Sequence, residues 1–229
     1  MKPRIAAIVP MRHDSKRVPG KNWRNLGGKP LFCHVIDALQ NSGVVDQIVI
    51  DTDSDTIRSI VSSEMPHVAL LTRPAHLRDD CLPMNDVLMH TTSRVRADFY
   101  IQTHSTNPLL TAATIATAAR RFIDRSGIYD SLFGVTKLQQ RLWDSLARPV
   151  NHDPAVLQRT QDLSPLFVEN SCIYVFSRDT LTHHGSRIGA RPMMFEIDRV
   201  EAWDIDEEDD FVIAEMLFQK MQQQQRSAA

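Results

Sequence analysis

The chain has 229 residues, with 26 Lys and Arg against 28 Asp and Glu, for a formal charge of −2. That length suits one large α/β domain with a real core, and the near-neutral balance excludes a dedicated nucleic-acid binder, which needs a strongly basic face. Cys33, Cys81 and Cys172 are odd in number and far apart, against disulfides or zinc and for a reducing cytoplasm; the few apolar residues before Pro10 are too short for a signal peptide or membrane span.

In chain order, Ile5–Val9 reads as a buried strand. Met11 to Asn22 follows as a cationic loop, and Leu31, Phe32, Val35, Ile36 and Leu39 then mark one face of a helix ending at Asn41-Ser42-Gly43. Residues 47–50 predict a second strand, closing at Asp51-Thr52-Asp53. Ser54-Asp55-Thr56 can cap the next helix, to about Ser62. Val68–Leu71 predicts a strand, Asn85 to about Arg96 a helix, Phe99–Ile101 a strand and Thr111–Ile123 a helix. The alternation implies βαβ units and a mainly parallel sheet flanked by helices. Leu132–Val135, Cys172–Phe176 and Met193–Ile197 are further strands, and His183-His184 reads as a surface turn. Residues 138–167 lack helical period and contain three prolines, so an irregular arm or small β-insertion is expected, covering the site or meeting a second subunit. A last helix carries Phe211, Ala214, Phe218 and Met221 on one face, with the glutamines at 222–225 frayed. No linker divides residues 1–229 into independent domains.

Strand, cationic loop, helix is the order by which α/β enzymes hold phosphates at the carboxyl end of a sheet. The loop carries Arg12, Lys16, Arg17 and Lys21, with Ser15 and Asn22 as neutral donors. These cations repel one another unless water or an anion screens them. A solvated surface loop is the plain alternative, but the position directly after the first buried strand favours an anion site. Neither G-x-G-x-x-G nor a Walker A sequence is present, so side chains must supply what backbone amides supply there. Asp204-Ile205-Asp206 puts two carboxylates on one face of an extended segment, roughly 6–7 Å apart. Such a pair suits Mg²⁺ completed by substrate phosphates; alternatively, Asp206 caps the final helix. Asp51-Thr52-Asp53 has the same spacing and is either a strand-to-helix turn with Asp53 as cap or the metal motif of a nucleotide-sugar-dependent glycosyltransferase. His104 stands at a strand's end, where it is either a solvated loop residue or a reader of substrate.

Met11 to Asn22, followed by Gly28-Lys29-Pro30-Leu31, resembles the amino-terminal signature of CMP-sialic acid synthetases, the acylneuraminate cytidylyltransferases. Arg73-Pro74 with Leu77 and Asp80, Gln102 with Pro108-Leu109, Asn170 with Ile173-Tyr174, and Asp204-Ile205-Asp206 resemble later motifs, in order across residues 5 to 215. The resemblance implies a Rossmann-like nucleotidyltransferase, usually a homodimer closed by an arm, joining CMP from CTP to an acidic acceptor with release of pyrophosphate. It implies nucleotide contacts from Arg12, Ser15, Lys16, Lys21, Asn22, Arg73 and Asp80, with Arg12, Lys21 and Asp206 catalytic and Asp204 and Asp206 on Mg²⁺. Gln102, His104, Arg159 and Asn170 are the expected acceptor contacts. Two departures concern the acceptor: Leu110 stands where sialate-using members carry arginine, and Val168-Glu169 where they carry Arg-Pro. Arg141, Arg159, Arg187 or Arg191 would then supply the charge. The runs 102–108, 141–143 and 159–162 look more like relatives that cytidylylate small phosphonates such as phosphonoformate.

Overall fold

Strand β1 (Ile5–Met11) is buried at all seven positions, as expected of a central strand covered on both faces. The computed structural model describes residues 2–13, 15–79 and 81–228, without the side chains of 225–228. After β1 come a hairpin of β2 (Asn25–Leu26) and β3 (Lys29–Pro30), then α1 (Leu31–Asn41), β4 (Gln47–Thr52), α2 (Asp55–Glu64), β5 (Ala69–Thr72), α3 (Met84–Arg94), β6 (Phe99–Thr103) and α4 (Ala112–Ile123). The carboxyl-terminal half adds β7 (Ser131–Leu138), β8 (Leu166–Phe176), α5 (Arg178–His184), β9 (Pro192–Glu196) and α6 (Glu208–Ala228).

Seven strands form one sheet in the order β5-β4-β1-β6-β8-β7-β9. β8 alone runs against its neighbours, β6 and β7, so the sheet is the expected mainly parallel α/β one. Alternation along β1 divides the core. Ile5, Ala7, Val9 and Met11 face a cluster with α1, α2 and α4, whereas Ala6 and Ile8 face one with Leu88 of α3 and Leu181 of α5.

Four local expectations are corrected. β7 and β8 extend beyond their predicted ends because residues 135–138 pair with 166–169 as a ribbon leaving the sheet; Phe167 and Val168 are exposed there, so no buried face marked it. His183 and His184 form the last turn of α5, which Ser177 caps through Thr180 N and left-handed Gly185 ends. The helix after β4 is capped by Ser54, as the Ser54-Asp55-Thr56 reading expects, and not by Asp53 as the alternative reading of Asp51-Thr52-Asp53 has it. α6 continues through the glutamines, which are good helix formers, rather than fraying at 222. Between the ribbon strands, residues 139–165 hold only a Trp143–Pro149 bridge and a short 3-10 turn at Thr160–Asp162.

Candidate active site

After β1 the chain places β4 and β5 on one flank and then returns to β6 on the other, so the carboxyl ends of β1 and β6 meet at a topological switch point. The cationic loop leaves β1 there and is pinned on both sides. His13 N donates to Asp53 Oδ1 at 2.8 Å, and the His13 ring stacks on Trp23 with centroids 5.0 Å apart. Asn22 donates to the Arg12 carbonyl at 3.0 Å and accepts from Ser105 Oγ at 2.7 Å. Gly20, at φ 64°, starts the turn carrying Lys21; a Cβ there would lie 2.9 Å from Trp23 Nε1, so both backbone and space require glycine.

The acid pair arrives from the other end of the chain. Ile205 N donates to the Thr106 carbonyl at 3.0 Å, and the Ile205 side chain is buried with Leu26, Leu31, Phe211 and Ala214, which fastens this segment beside the exit of β6. Lys21 Nζ donates to the Ile205 carbonyl and lies 3.9 Å from Asp206 Oδ1. Arg17 Nη2 reaches Asp206 Oδ1 at 2.6 Å and its Nη1 reaches Glu207 at 3.3 Å. The Asp206 and Glu207 amides are taken by Asp210 Oδ2 at 3.0 and 2.8 Å, so Asp210 braces the start of α6 while the Asp206 carboxylate faces the loop.

Between the two segments lies a cleft of about 610 Å³. Arg12, Ser15, Lys16, Lys21, Asn22, Arg73, His104, Asp204 and Asp206 all line it, as do Arg17 and Ser171. Burial lowers the Lys21 pKa even though Asp206 and Asp204 pull it up. Burial, reinforced by the Asp206 charge, pushes the Asp204 carboxyl above the usual range, against Thr106 and Lys21. Asp204 Oδ1 is buried without a hydrogen-bond partner among the described residues, a costly state for an acid unless a ligand satisfies it. A hard cation held by Asp204 and Asp206 and completed by phosphate oxygens fits both observations. Among the described residues no group of three or more His, Cys, Asp or Glu could hold a metal, so phosphate oxygens and waters would have to supply the remaining ligands.

A second cavity of about 340 Å³ shares Ser171 and Asp204 with the cleft. Asn170 lines it, with its Nδ2 on Thr136 Oγ1 at 3.0 Å. Ser171 adopts φ 56°, an uncommon left-handed conformation for serine and the sort of local strain that gathers at sites. It occurs where β7 and β8 lose register around Gly134, against which Asn170 packs closely.

The other expected residues divide. Arg73 lines the cleft, yet its guanidinium is committed to Asp51, at 2.7 Å to Oδ1 and 3.0 Å to the carbonyl. The same Asp51 accepts from Thr91 Oγ1 at 2.7 Å, and neither Asp51 nor Asp53 is in the cleft lining; of the motif named for the glycosyltransferase alternative, Asp51 is committed to a buried ion pair and Asp53 to the His13 amide. Gln102 is fully buried, holding Arg187 Nη1 with its Oε1. Arg159 lines neither cavity; in the exposed arm it pairs with Asp162 three residues on, at 2.8 Å. Asp80 lies outside the described residues. Arg17 and Ser171 join the site beyond the expected set: Arg17 was visible only as one more loop cation, and no sequence signal marks a serine in a left-handed conformation.

A switch-point cleft of this kind, with cations from one end of the chain and acids from the other, defines an α/β nucleotidyltransferase architecture. The cytidylyltransferase family model matches residues 6–226, and the chain belongs to that family. N-acylneuraminate cytidylyltransferase A of Danio rerio is 28% identical over 218 residues, 92% of this chain and 50% of that protein. Pseudaminic acid cytidylyltransferase of Campylobacter jejuni is 24% identical over 222 residues, 92% and 94% of the two chains. The chain spans about half the length of the first curated relatives it matches. Among solved structures, CMP:2-keto-3-deoxy-manno-octonic acid synthetase complexed with CTP superposes with a TM-score of 0.72 at 16% identity, covering 95% of this chain and 99% of that one. A 4-diphosphocytidyl-2C-methyl-D-erythritol synthase from Anaerococcus prevotii gives 0.68 at 10% identity, covering 95% and 97%. The resemblance to CMP-sialic acid synthetases and the Rossmann-like nucleotidyltransferase fold are thus borne out. No helix among the described residues is long and apolar enough to cross a membrane.

Proposed function

We propose that this chain is a Mg²⁺-dependent cytidylyltransferase: CTP and an acidic acceptor give the CMP-acceptor and pyrophosphate. The carrying observation is the meeting of Lys21 and Arg17 with the Asp204/Asp206 segment across one cleft. An acceptor oxygen attacks the α-phosphorus, the bond to the β-phosphate oxygen breaks, and pyrophosphate leaves. Arg12 and Lys21 hold the charge that gathers on the leaving group, with Ser15, Lys16 and Asn22 setting the loop around the triphosphate. Mg²⁺ on Asp204 and Asp206, when bound, neutralises phosphate charge at the same place.

The acceptor is either a small phosphonate such as phosphonoformate or a sialic-type 2-keto sugar acid. Relatives named for N-acylneuraminate and pseudaminic acid favour the sugar acid. Buried Leu110, in place of the arginine of sialate-using members, favours the phosphonate, and an ionised phosphonate oxygen attacks without a base. Exposed Trp143, Leu146, Leu157 and Phe167 on the 138–167 arm support a homodimer in which this arm meets the second copy. Free Cys33, Cys81 and Cys172 accord with a cytoplasmic setting. Pyrophosphate release from CTP and Mg²⁺ over a panel of sialic, other 2-keto-acid and phosphonate acceptors tests the reading. Release dependent on one acid class is expected; folded protein releasing none with any acceptor would refute it.

A further inference from the structure

Arg187 sits in the loop between α5 and β9, and that loop is fastened on every side. Arg187 N donates to Asn85 Oδ1 at 3.2 Å, Gly189 N to Ser131 Oγ at 2.9 Å, and Arg191 N to Asp130 Oδ2 at 2.9 Å. The guanidinium lies 3.5 Å from the centroid of the Tyr174 ring and donates through Nη1 to the carboxamide of Gln102. No carboxylate pairs with it within 4 Å among the described residues, since Glu169 acts on it only from a distance and spends its own hydrogen bond on the Tyr174 hydroxyl. Burial accordingly lowers the Arg187 pKa. This half-buried guanidinium faces a neutral amide and a phenol ring rather than a paired carboxylate, and its planar fork matches an oxyanion.

Arg187 and Gln102 line neither the cleft nor the side cavity themselves; they adjoin both through Tyr174 and Ser171. Tyr174 Oη stands 3.4 Å from Ser171 Oγ, and Ser171 lines both the nucleotide-sized cleft and the side cavity. Gln102 pairs across the sheet with Tyr174, and two residues later His104 enters the cleft with Nε2 buried and without a hydrogen-bond partner among the described residues. Arg187 and Lys21, after burial itself, hold His104 neutral with a pKa of about 3, so its ring can offer an N–H without adding charge. The other cations near the side cavity, Lys137 and Arg199, are exposed and already solvated.

We propose that Arg187, assisted by Gln102 and His104, is the acceptor-reading cation of this enzyme, binding the oxyanion of a carboxylate or phosphonate. This assignment rests on the cytidylyltransferase reading and deepens it: the charge that selects an acid acceptor comes from the α5–β9 loop rather than from position 110 or the 138–167 arm.

Steady-state kinetics on the full chain with CTP and Mg²⁺, varying each acid of the panel, compares wild type with Arg187→Gln and Arg187→Lys. The Gln variant removes the charge while keeping a polar side chain, and the Lys variant keeps the charge but not the fork. Loss of a charge-assisted pair should raise the acceptor KM about 10- to 100-fold in Arg187→Gln, with the CTP KM unchanged and Arg187→Lys intermediate. Should Arg187→Gln not fold, Arg187→Lys decides by the same split. Whichever of the carboxylate and phosphonate arms turns over and shows that change identifies the acid. An unchanged acceptor KM, or a fall in thermal stability with both KM values moving together, would make Arg187 a strut and overturn the assignment alone. A folded wild type inactive with every acceptor would instead overturn the cytidylyltransferase reading and this assignment with it.

Discussion

Arg17 Nη2 stands 2.6 Å from Asp206 Oδ1, joining positions 189 residues apart in the chain. The pair is half exposed on both sides, so it adds little to stability. What it does is occupy the carboxylate that a metal would need. Arg17→Ala should cost about 1 kcal/mol or less of unfolding free energy, and it should strengthen Mn²⁺ binding by the nucleotide-free protein. Calorimetric titration of Mn²⁺ into both proteins checks this; weaker binding in the variant would mean that Arg17 orients Asp206 for the metal.

Asp51 gives the opposite pattern. It is fully buried and holds both Arg73 and Thr91, so Asp51→Ala strands a buried guanidinium and should cost about 3–5 kcal/mol. Asp206→Ala should leave stability nearly intact and abolish turnover. Urea unfolding and pyrophosphate release on the two variants separate the roles. A stable but inactive Asp51→Ala would revive Asp51-Thr52-Asp53 as the catalytic metal motif.

Stability should also respond to pH through Asp204. Its pKa is raised in the folded state, so folding is penalised once the carboxyl ionises and the penalty disappears below the unfolded value of about 4. Asp204→Asn removes the ionisation. The variant should melt higher than wild type at pH 7–8, with the difference shrinking towards pH 4, as thermal scans without metal or nucleotide would register. A variant that melts lower at pH 8 would mean that Lys21 and Thr106 already compensate the charge.

His104 acts with the other sign. Its folded pKa falls to about 3, whereas the unfolded side chain takes a proton near pH 6.5. Stability from a neutral His104 is therefore fully present above about 6.5 and is lost as pH drops towards 3. His104→Gln should flatten that part of the stability profile. An identical acid limb in both proteins would contradict the burial of this ring.

The fold was legible where burial was complete. Ile5–Val9, continuous and apolar, could hardly be anything but an inner strand, and the regular helix faces followed from their period. The outer half of β8 was not legible, because Phe167 and Val168 point to solvent and carry no alternation that a sheet would impose. The Asn25–Pro30 hairpin turns through Gly27 and Gly28 at φ 58° and 101°, a glycine pair that could have been read as a turn. In the site, complementary charge made the loop and the acid pair visible at opposite chain ends. Arg73, expected on the nucleotide, is held instead by Asp51, a partner hidden from the sequence because it lies on the neighbouring strand 22 residues earlier. Arg159 likewise found Asp162 three residues away rather than a substrate. Charge can be counted in a sequence, but which charges are already paired depends on register.

In the proposed site, loop cations and the Asp204/Asp206 pair hold one triphosphate and its metal. Anomalous diffraction from a crystal grown with CTP and Mn²⁺ tests it most directly. A metal peak at Asp204 and Asp206, with the triphosphate against Arg12 and Lys21, is the expected result. A metal peak away from both aspartates, or a triphosphate bound outside the cleft, would contradict it.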